Sequence, residues 1–262
     1  MIVKMKKGGR AMSGITGIGN TYTDYGKLAS GKKIQTASDG AAELAIAQKL
    51  QVQTNTYDVG SSNIKQATGL ANIADGALGG INDYLSRIHE LSIRSMGGFM
   101  SDSDKSAIQA EIDQMKMGIE QLAGTAKYNE TYLLDGSTSN INVATGSGYS
   151  SVSGANSTLK ALGLEDYNIM GEFDLTVVEK AMEKVNSMRS KIGAETNGLE
   201  AAYNYATSAS YNTTASQSRI EDLDIAEAIS EMKKQQTLQQ YSMNMQKKQM
   251  ENEANLMKGF FI

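Results

Sequence analysis

This chain of 262 residues has no proline, no cysteine and no tryptophan, and a single histidine. Each absence excludes something. Without proline, nothing forces a long helix to kink or end. Without cysteine there is neither a disulfide framework nor a thiolate metal site, which suits a protein kept unfolded and uncrosslinked while it crosses an envelope. The lone His89 has no second histidine with which to hold a metal, and no HExxH, phosphate-binding loop or Ser-His-Asp set can be assembled. His89 therefore reads as a structural or surface residue, and the expectation is a protein that is not an enzyme and uses no metal or cofactor. Aromatic residues are scarce at 6%, against 40% hydrophobic overall. That is enough apolar material for a helical bundle and too little bulk for a large globule. The net charge of −4 makes no case for nucleic acid or an anionic membrane as partner.

Lys4, Lys6, Lys7 and Arg10 crowd the first residues, but no apolar run follows, so they read neither as a secretory signal nor as a transmembrane anchor. They are either a basic tail or the product of reading through a ribosome-binding site. The codons for Lys7-Gly8-Gly9 would spell such a site, and Met12 would then be the true start.

What the chain does contain is helical periodicity. Small or apolar residues recur in steps of three and four at Ile64, Ala67, Ala71, Ala74, Leu78, Ile81, Leu85, Ile88, Ser92 and Ser95, the heptad pattern of a helix lying along partner helices. This helix is expected from Ser38 or Asp39, either a plausible N-cap, to about Ser95, where Gly97-Gly98 ends it. A second should start after Ser101 or Ser103 and carry Ile108, Ile112, Met115, Ile119, Leu122 and Ala126, again in steps of four and three. The chain must reverse between the two, which makes an antiparallel pair. Residues 128–157 are rich in Gly, Ser, Thr and Asn, with alternation at Ile141 to Ala144, and predict a small β-hairpin with loops. A third helix from about Leu175 carries Val178, Ala181, Val185, Met188, Ile192, Leu199, Ala202, Ala206 and Ala209. After Ser218 the seam drifts, while Met243, Met250 and Met257 repeat every seven residues before an apolar end at Phe260-Phe261-Ile262. The expected fold is mainly α: a long antiparallel helical bundle or coiled coil with a small β-hairpin region.

Several motifs within this frame are similar to those of a known family. Leu28-Ala29-Ser30-Gly31-Lys32-Lys33-Ile34 is followed by Ala37-Ser38-Asp39-Gly40-Ala41-Ala42. Leu85-Ser86-Arg87-Ile88-His89-Glu90-Leu91, Ile108-Gln109-Ala110-Glu111-Ile112 and Tyr128-Asn129-Glu130-Thr131-Tyr132-Leu133-Leu134-Asp135-Gly136 come next. Arg219-Ile220-Glu221-Asp222-Leu223-Asp224-Ile225-Ala226 lies near the last helix. Together and in this order they resemble bacterial flagellin, in a short form without variable outer domains. The resemblance departs at residues 12–27, which are glycine-rich where the family has an amphipathic helix, at Gly40 where a second Asp is common, and at His89 where an Arg is common.

The resemblance implies a division into an N-terminal inner-tube segment (1–37), N-terminal rod helices (38–136), a hairpin and loop region (137–174), a C-terminal rod helix (175–218) and a C-terminal inner-tube helix (219–262). It implies a structural, self-assembling subunit of the extracellular flagellar filament. The alternatives are a hook-filament junction protein or minor flagellin, and a secreted monomer acting as an immune or adhesive ligand. The implied partners are copies of itself in a helical filament, an export chaperone that holds the C-terminal helix, the flagellar type III export apparatus working without a cleaved signal, and hook-associated and cap proteins. A host flagellin receptor would meet Arg87, Leu91 and Glu111. The alternative is that Arg87 and Glu111 are solvated or make subunit salt bridges and that Leu91 belongs to a second stripe with Leu70, Ala77 and Tyr84. The assembly and chaperone face is expected at Ile229, Met232, Met243, Met250, Met257, Phe260 and Phe261, where methionines adapt to successive partners and termini order only on binding. Asn156-Ser157-Thr158 matches a glycosylation triplet that also arises by chance.

Overall fold

The computed structural model describes residues 25–260, with side chains as far as Met257. A start at Met12, the glycine-rich stretch before residue 25 and the side chains of Phe260 and Phe261 lie outside the described residues.

The elements follow the periodicity. Helix α1 is Ala37–Ser95 and α2 is Asp102–Thr125. Two short strands, β1 (Lys127–Tyr128) and β2 (Thr131–Tyr132), precede a hairpin of β3 (Asn140–Ala144) and β4 (Tyr149–Ser153). A single helical turn, α3 (Leu159–Leu162), leads to α4 (Thr176–Glu221) and α5 (Ile225–Phe260). The only non-helical residue inside α1 is Gly40, whose φ of 163° and ψ of 94° are extended. The regular helix thus starts after Gly40, and Asp39 accepts from the amides behind it, those of Gln35 and Thr36. Ser101 caps α2 in a full capping box with Asp104, satisfying two amides that the first turn leaves unpaired.

The described residues form two compact units: 25–52 with 213–260, and 53–212. The boundaries fall inside α1 and α4 rather than in loops, because each of these helices supplies residues to both.

Within the 53–212 unit, the contacts of α1 run in opposite numerical order to those of both neighbours. Gly80 meets Leu122, Tyr84 meets Gly118 and Arg87 meets Glu111, so α1 and α2 are antiparallel. Tyr57 packs edge-on to Tyr205, Lys65 lies over the Tyr203 ring, Asp75 binds Arg189 and His89 Nε2 lies 3.6 Å from Glu179, so α1 and α4 are antiparallel too. Facing two helices requires two apolar stripes on α1. All ten residues of the first, Ile64 to Ser95, are buried, and so are Leu70 and Leu91 of the second. Tyr84 of the second stripe rests against Gly118 of α2, leaving no room there for a Cβ.

The middle of the chain is strapped onto the helices. Asn129 and Glu130, at φ 44° and 67°, form the two-residue left-handed turn that joins β1 to β2. The β3–β4 turn docks backbone to backbone on α1: a Cβ on Gly60 would lie 2.3 Å from the Thr145 oxygen, and Gly146 holds φ +84° against Thr56. Side chains from the helices then hold the strap. Glu195 accepts from the amide and hydroxyl of Ser153, Glu120 from the Leu159 amide and Gln109 from the Ile169 amide. Lys116 donates to the carbonyls of Glu165 and Tyr167, and Lys184 to that of Ala161. Leu162, Leu164, Tyr167 and Ile169 join the core. The buried Tyr167 hydroxyl donates to Ser92 at 2.8 Å, and Ser92 in turn donates to the Ile88 carbonyl. Burial pushes the Tyr167 phenol up, so it stays a neutral donor.

Candidate assembly surfaces

Two sequence motifs almost two hundred residues apart meet in the unit formed by 25–52 and 213–260. Residues 25–30 are helical and end at Gly31, whose amide donates to Lys27 O and whose φ of +70° turns the chain out of the helix. Beyond it, Lys32 pairs with Asp222 as an isolated antiparallel bridge. The Lys33 amide donates to Glu221 O at 2.8 Å, and the Leu223 amide to Gly31 O at 2.9 Å. Lys32 Nζ closes the clasp on the Glu221 carboxylate, which also accepts from Gln217. The lysine beside it, then Gln217, hold that carboxyl below its ordinary range.

Either side of the clasp the local chemistry is equally directed. Asp39 takes an ion pair from Lys27 at 2.8 Å together with the Thr36 and Gln35 amides, and these, Lys27 foremost, hold its carboxyl well below the usual carboxylate range. Asp224 accepts from the amides of Ala226 and Glu227 at 3.0 and 3.1 Å, which caps α5. Ile34 is buried beneath the loop. Both motifs were visible in the sequence, but their pairing was not. Opposite charges such as Lys32 and Glu221 do not identify each other without a fold.

Helix α5 is the opposite of α1. From Ile225 to Met257 none of its residues is fully buried. Ile229 and Met232 are half-buried, while Met243, Met250 and Met257 are 55%, 64% and 65% exposed, and Leu238, Tyr241 and Leu256 are exposed with them. Gln236 donates to the Tyr25 hydroxyl at 2.9 Å. Among the described residues, so many uncovered apolar side chains mean that this helix gains little from burial within the chain.

In the 53–212 unit, Arg87 is the hub of a surface cluster. Its Nε and Nη2 donate to Glu111 Oε1 at 3.0 and 2.8 Å and its Nη1 donates to Glu90 at 2.9 Å. Those two carboxylates, Glu111 first, raise its pKa. Leu91 departs from the expectation that grouped it with Arg87 and Glu111 as a receptor contact. It is 1% exposed, because the second stripe of α1 faces the core, so its side chain is not offered to a partner of the single subunit. A second ion pair, not anticipated from the sequence, forks from Arg189 Nε and Nη2 to the two oxygens of Asp75 at 2.8 and 3.2 Å. Asn156, which opens the triplet that matches a glycosylation motif, accepts from the Thr158 amide and hydroxyl, and Thr158 caps α3. Among the described residues, no group of three or more His, Cys, Asp or Glu could hold a metal ion, and no helix is long and apolar enough to cross a membrane.

Comparison with known proteins agrees with this geometry at both ends of the chain. The bacterial flagellin N-terminal helical region matches residues 17–139, and the bacterial flagellin C-terminal helical region matches residues 175–257. The chain belongs to the bacterial flagellin family. The flagellin of Halalkalibacterium halodurans is 30% identical over 84% of this chain and 84% of its own. The flagellar filament core protein flaB2 of Brachyspira hyodysenteriae is 31% identical over 85% and 86%. The crystal structure of Bacillus cereus flagellin superposes with a TM-score of 0.51 at 24% identity, covering 55% of this chain and 88% of that one. A Vibrio parahaemolyticus protein described as flagellar hook-associated gives a TM-score of 0.60 at 13% identity, covering 70% of this chain and all of that one. At these identities the two structures speak to fold alone. This flagellin is a structural subunit of the extracellular flagellar filament, and the readings as a junction protein or a secreted monomeric ligand are not favoured by its relatives. The part of the strapped middle segment from β3 to Ile169 lies between the two family regions.

Proposed function

We propose that this flagellin polymerises chiefly through α5, with Ile229, Met232, Met243, Met250 and Met257 as the face that neighbouring copies cover. The observation that carries this is the exposure of the helix: a run of large apolar side chains with no residue fully buried. The clasp at Lys32 and Glu221 supports it, since it ties the start of α5 to the N-terminal family region. Before assembly the same adaptable face suits an export chaperone, with passage through the flagellar type III apparatus without cleavage of a signal. At the filament ends it would meet hook-associated and cap proteins. The test is to remove residues 225–262 and follow polymer formation by sedimentation and electron microscopy. The truncated chain should keep its far-ultraviolet helical signal from α1, α2 and α4 yet form no tubes. Filaments from the truncated chain would sink this reading.

A host flagellin receptor meeting the single subunit would read the cluster of exposed Glu90 with half-buried Arg87 and Glu111 rather than the buried Leu91. Arg87→Ala should then lower receptor signalling while leaving the fold intact. Unchanged signalling, or an inert wild-type subunit, would remove the receptor from the partners.

A further inference from the structure

We propose that the exposed methionines of α5 are an oxidation site that decides whether a free subunit can assemble, an inference that rests on polymerisation through this helix. The chain contains 15 Met and neither Cys nor Trp. With no thiol to react first, the thioether is the side chain that a two-electron oxidant meets. Of the seven exposed methionines among the described residues, four are gathered on α5. Met243, Met250 and Met257 are spaced by seven and so lie on one face, and Met245 is exposed nearby. By contrast Met115, Met182 and Met188 are packed against the core of the other unit.

The reaction with hydrogen peroxide is complete in itself. The sulfur lone pair attacks one peroxide oxygen, the S–O bond forms as the O–O bond breaks, and the departing hydroxide takes the proton left on the transferred oxygen. Sulfur is oxidised by two electrons, peroxide is reduced, and the products are methionine sulfoxide and water. On a free subunit the change costs little, because each sulfoxide points into water. Assembly alters that, since a copy seated on α5 must bury a strongly polar S–O group where the thioether it replaced was apolar. The polymer conversely shields the sulfur it covers. Oxidation before assembly therefore removes a subunit, and assembly before oxidation protects it.

The experiment treats purified subunits with hydrogen peroxide, maps sulfoxides by peptide mass spectrometry, and measures the concentration needed for polymer by sedimentation. Oxidised wild type should need at least about tenfold more protein for each sulfoxide that must be buried. A variant carrying Met243→Leu, Met245→Leu, Met250→Leu and Met257→Leu keeps an apolar face without sulfur. Whatever concentration it needs untreated, that concentration should not rise on treatment, although Met96, Met117 and Met170, exposed on the other unit, still oxidise in it. Should that variant fail to polymerise untreated, the second measurement is repair. Methionine sulfoxide reductases A and B with dithiothreitol should restore assembly of oxidised wild type. Unimpaired polymerisation of oxidised wild type, equal loss in the oxidised leucine variant, or no recovery on repair would each overturn the proposal while leaving the assembly reading standing. Untreated wild type that never polymerises would overturn both.

Discussion

Replacing Gly60 with alanine isolates the contact that holds the β3–β4 turn on α1. In an exposed helix the change would be favourable, since alanine is preferred to glycine by about 1 kcal/mol. At residue 60 the added Cβ would stand 2.3 Å from the Thr145 oxygen, 2.4 Å from its carbonyl carbon and 2.7 Å from the Gly146 nitrogen. These are backbone atoms and cannot swing aside. The turn must therefore retreat by roughly 1 Å to reach ordinary contact distance. Overpacking of this kind costs about 1–3 kcal/mol. The retreat also strains the bond that Asn63 donates to the Ala144 carbonyl at 3.2 Å, worth about 1 kcal/mol. Subtracting the helix gain leaves a net loss of about 1–3 kcal/mol, or a fall in Tm of roughly 2–10 °C for a chain of this size. The controls are Gly69→Ala and Gly76→Ala in the same helix, where nothing lies within 4 Å of the new methyl. Each should stabilise by about 0.4–1 kcal/mol. Thermal melts of dilute, unpolymerised protein followed by circular dichroism would compare the signs. A Gly60→Ala melt that rises with the two controls would refute the docked turn.

Three further outcomes follow from the same geometry. Ser101→Ala removes the capping box of α2 and should cost about 0.5–2 kcal/mol in urea unfolding; no change in midpoint would deny the cap. Leu85→Ala, fully buried between α1 and its neighbours, should cost about 2–5 kcal/mol, and a loss below 1 kcal/mol would mean that this face of α1 is not packed. The clasp should weaken in acid. The Glu221 carboxyl is held below its ordinary 4.5 by Lys32, so the stability it contributes is fully present above that value and is lost as pH falls towards the depressed one. Asp39, lowered chiefly by Lys27, shifts stability in the same direction at lower pH. Hydrogen exchange at the Lys33 and Leu223 amides, which donate across the clasp, should accelerate relative to the unprotected rate below about pH 4.5, and Glu221→Gln should flatten that dependence. Constant protection down to pH 3 in wild type would argue against the ion pair.

The helices and their buried faces were legible because a helix and its repeat are local. Every member of the Ile64 to Ser95 seam is buried, and Gly97-Gly98 with Ser101 marked the reversal correctly. The seven-residue spacing places Met243, Met250 and Met257 on one side of α5, and all three are exposed. The order of the motifs along the chain was enough to identify the family.

What the sequence could not settle were pairings between distant residues. Nothing near Lys32 names Glu221, nothing near Gly60 names Thr145, and nothing near Ser92 names Tyr167. Contacts of this kind depend on where the packed helices place their surfaces, and many partners of equal local chemistry compete for them. The same limit explains Leu91. Its spacing from Arg87 puts both on neighbouring turns, but only the second helix packed against α1 decides that one side chain faces water and the other the core. Periodicity by itself determined the helices and their apolar stripes, because backbone geometry repeats every few residues. Tertiary structure alone decided which stripe found a partner within the chain and which, on α5, stayed uncovered among the described residues, because burial belongs to the whole packed set of helices.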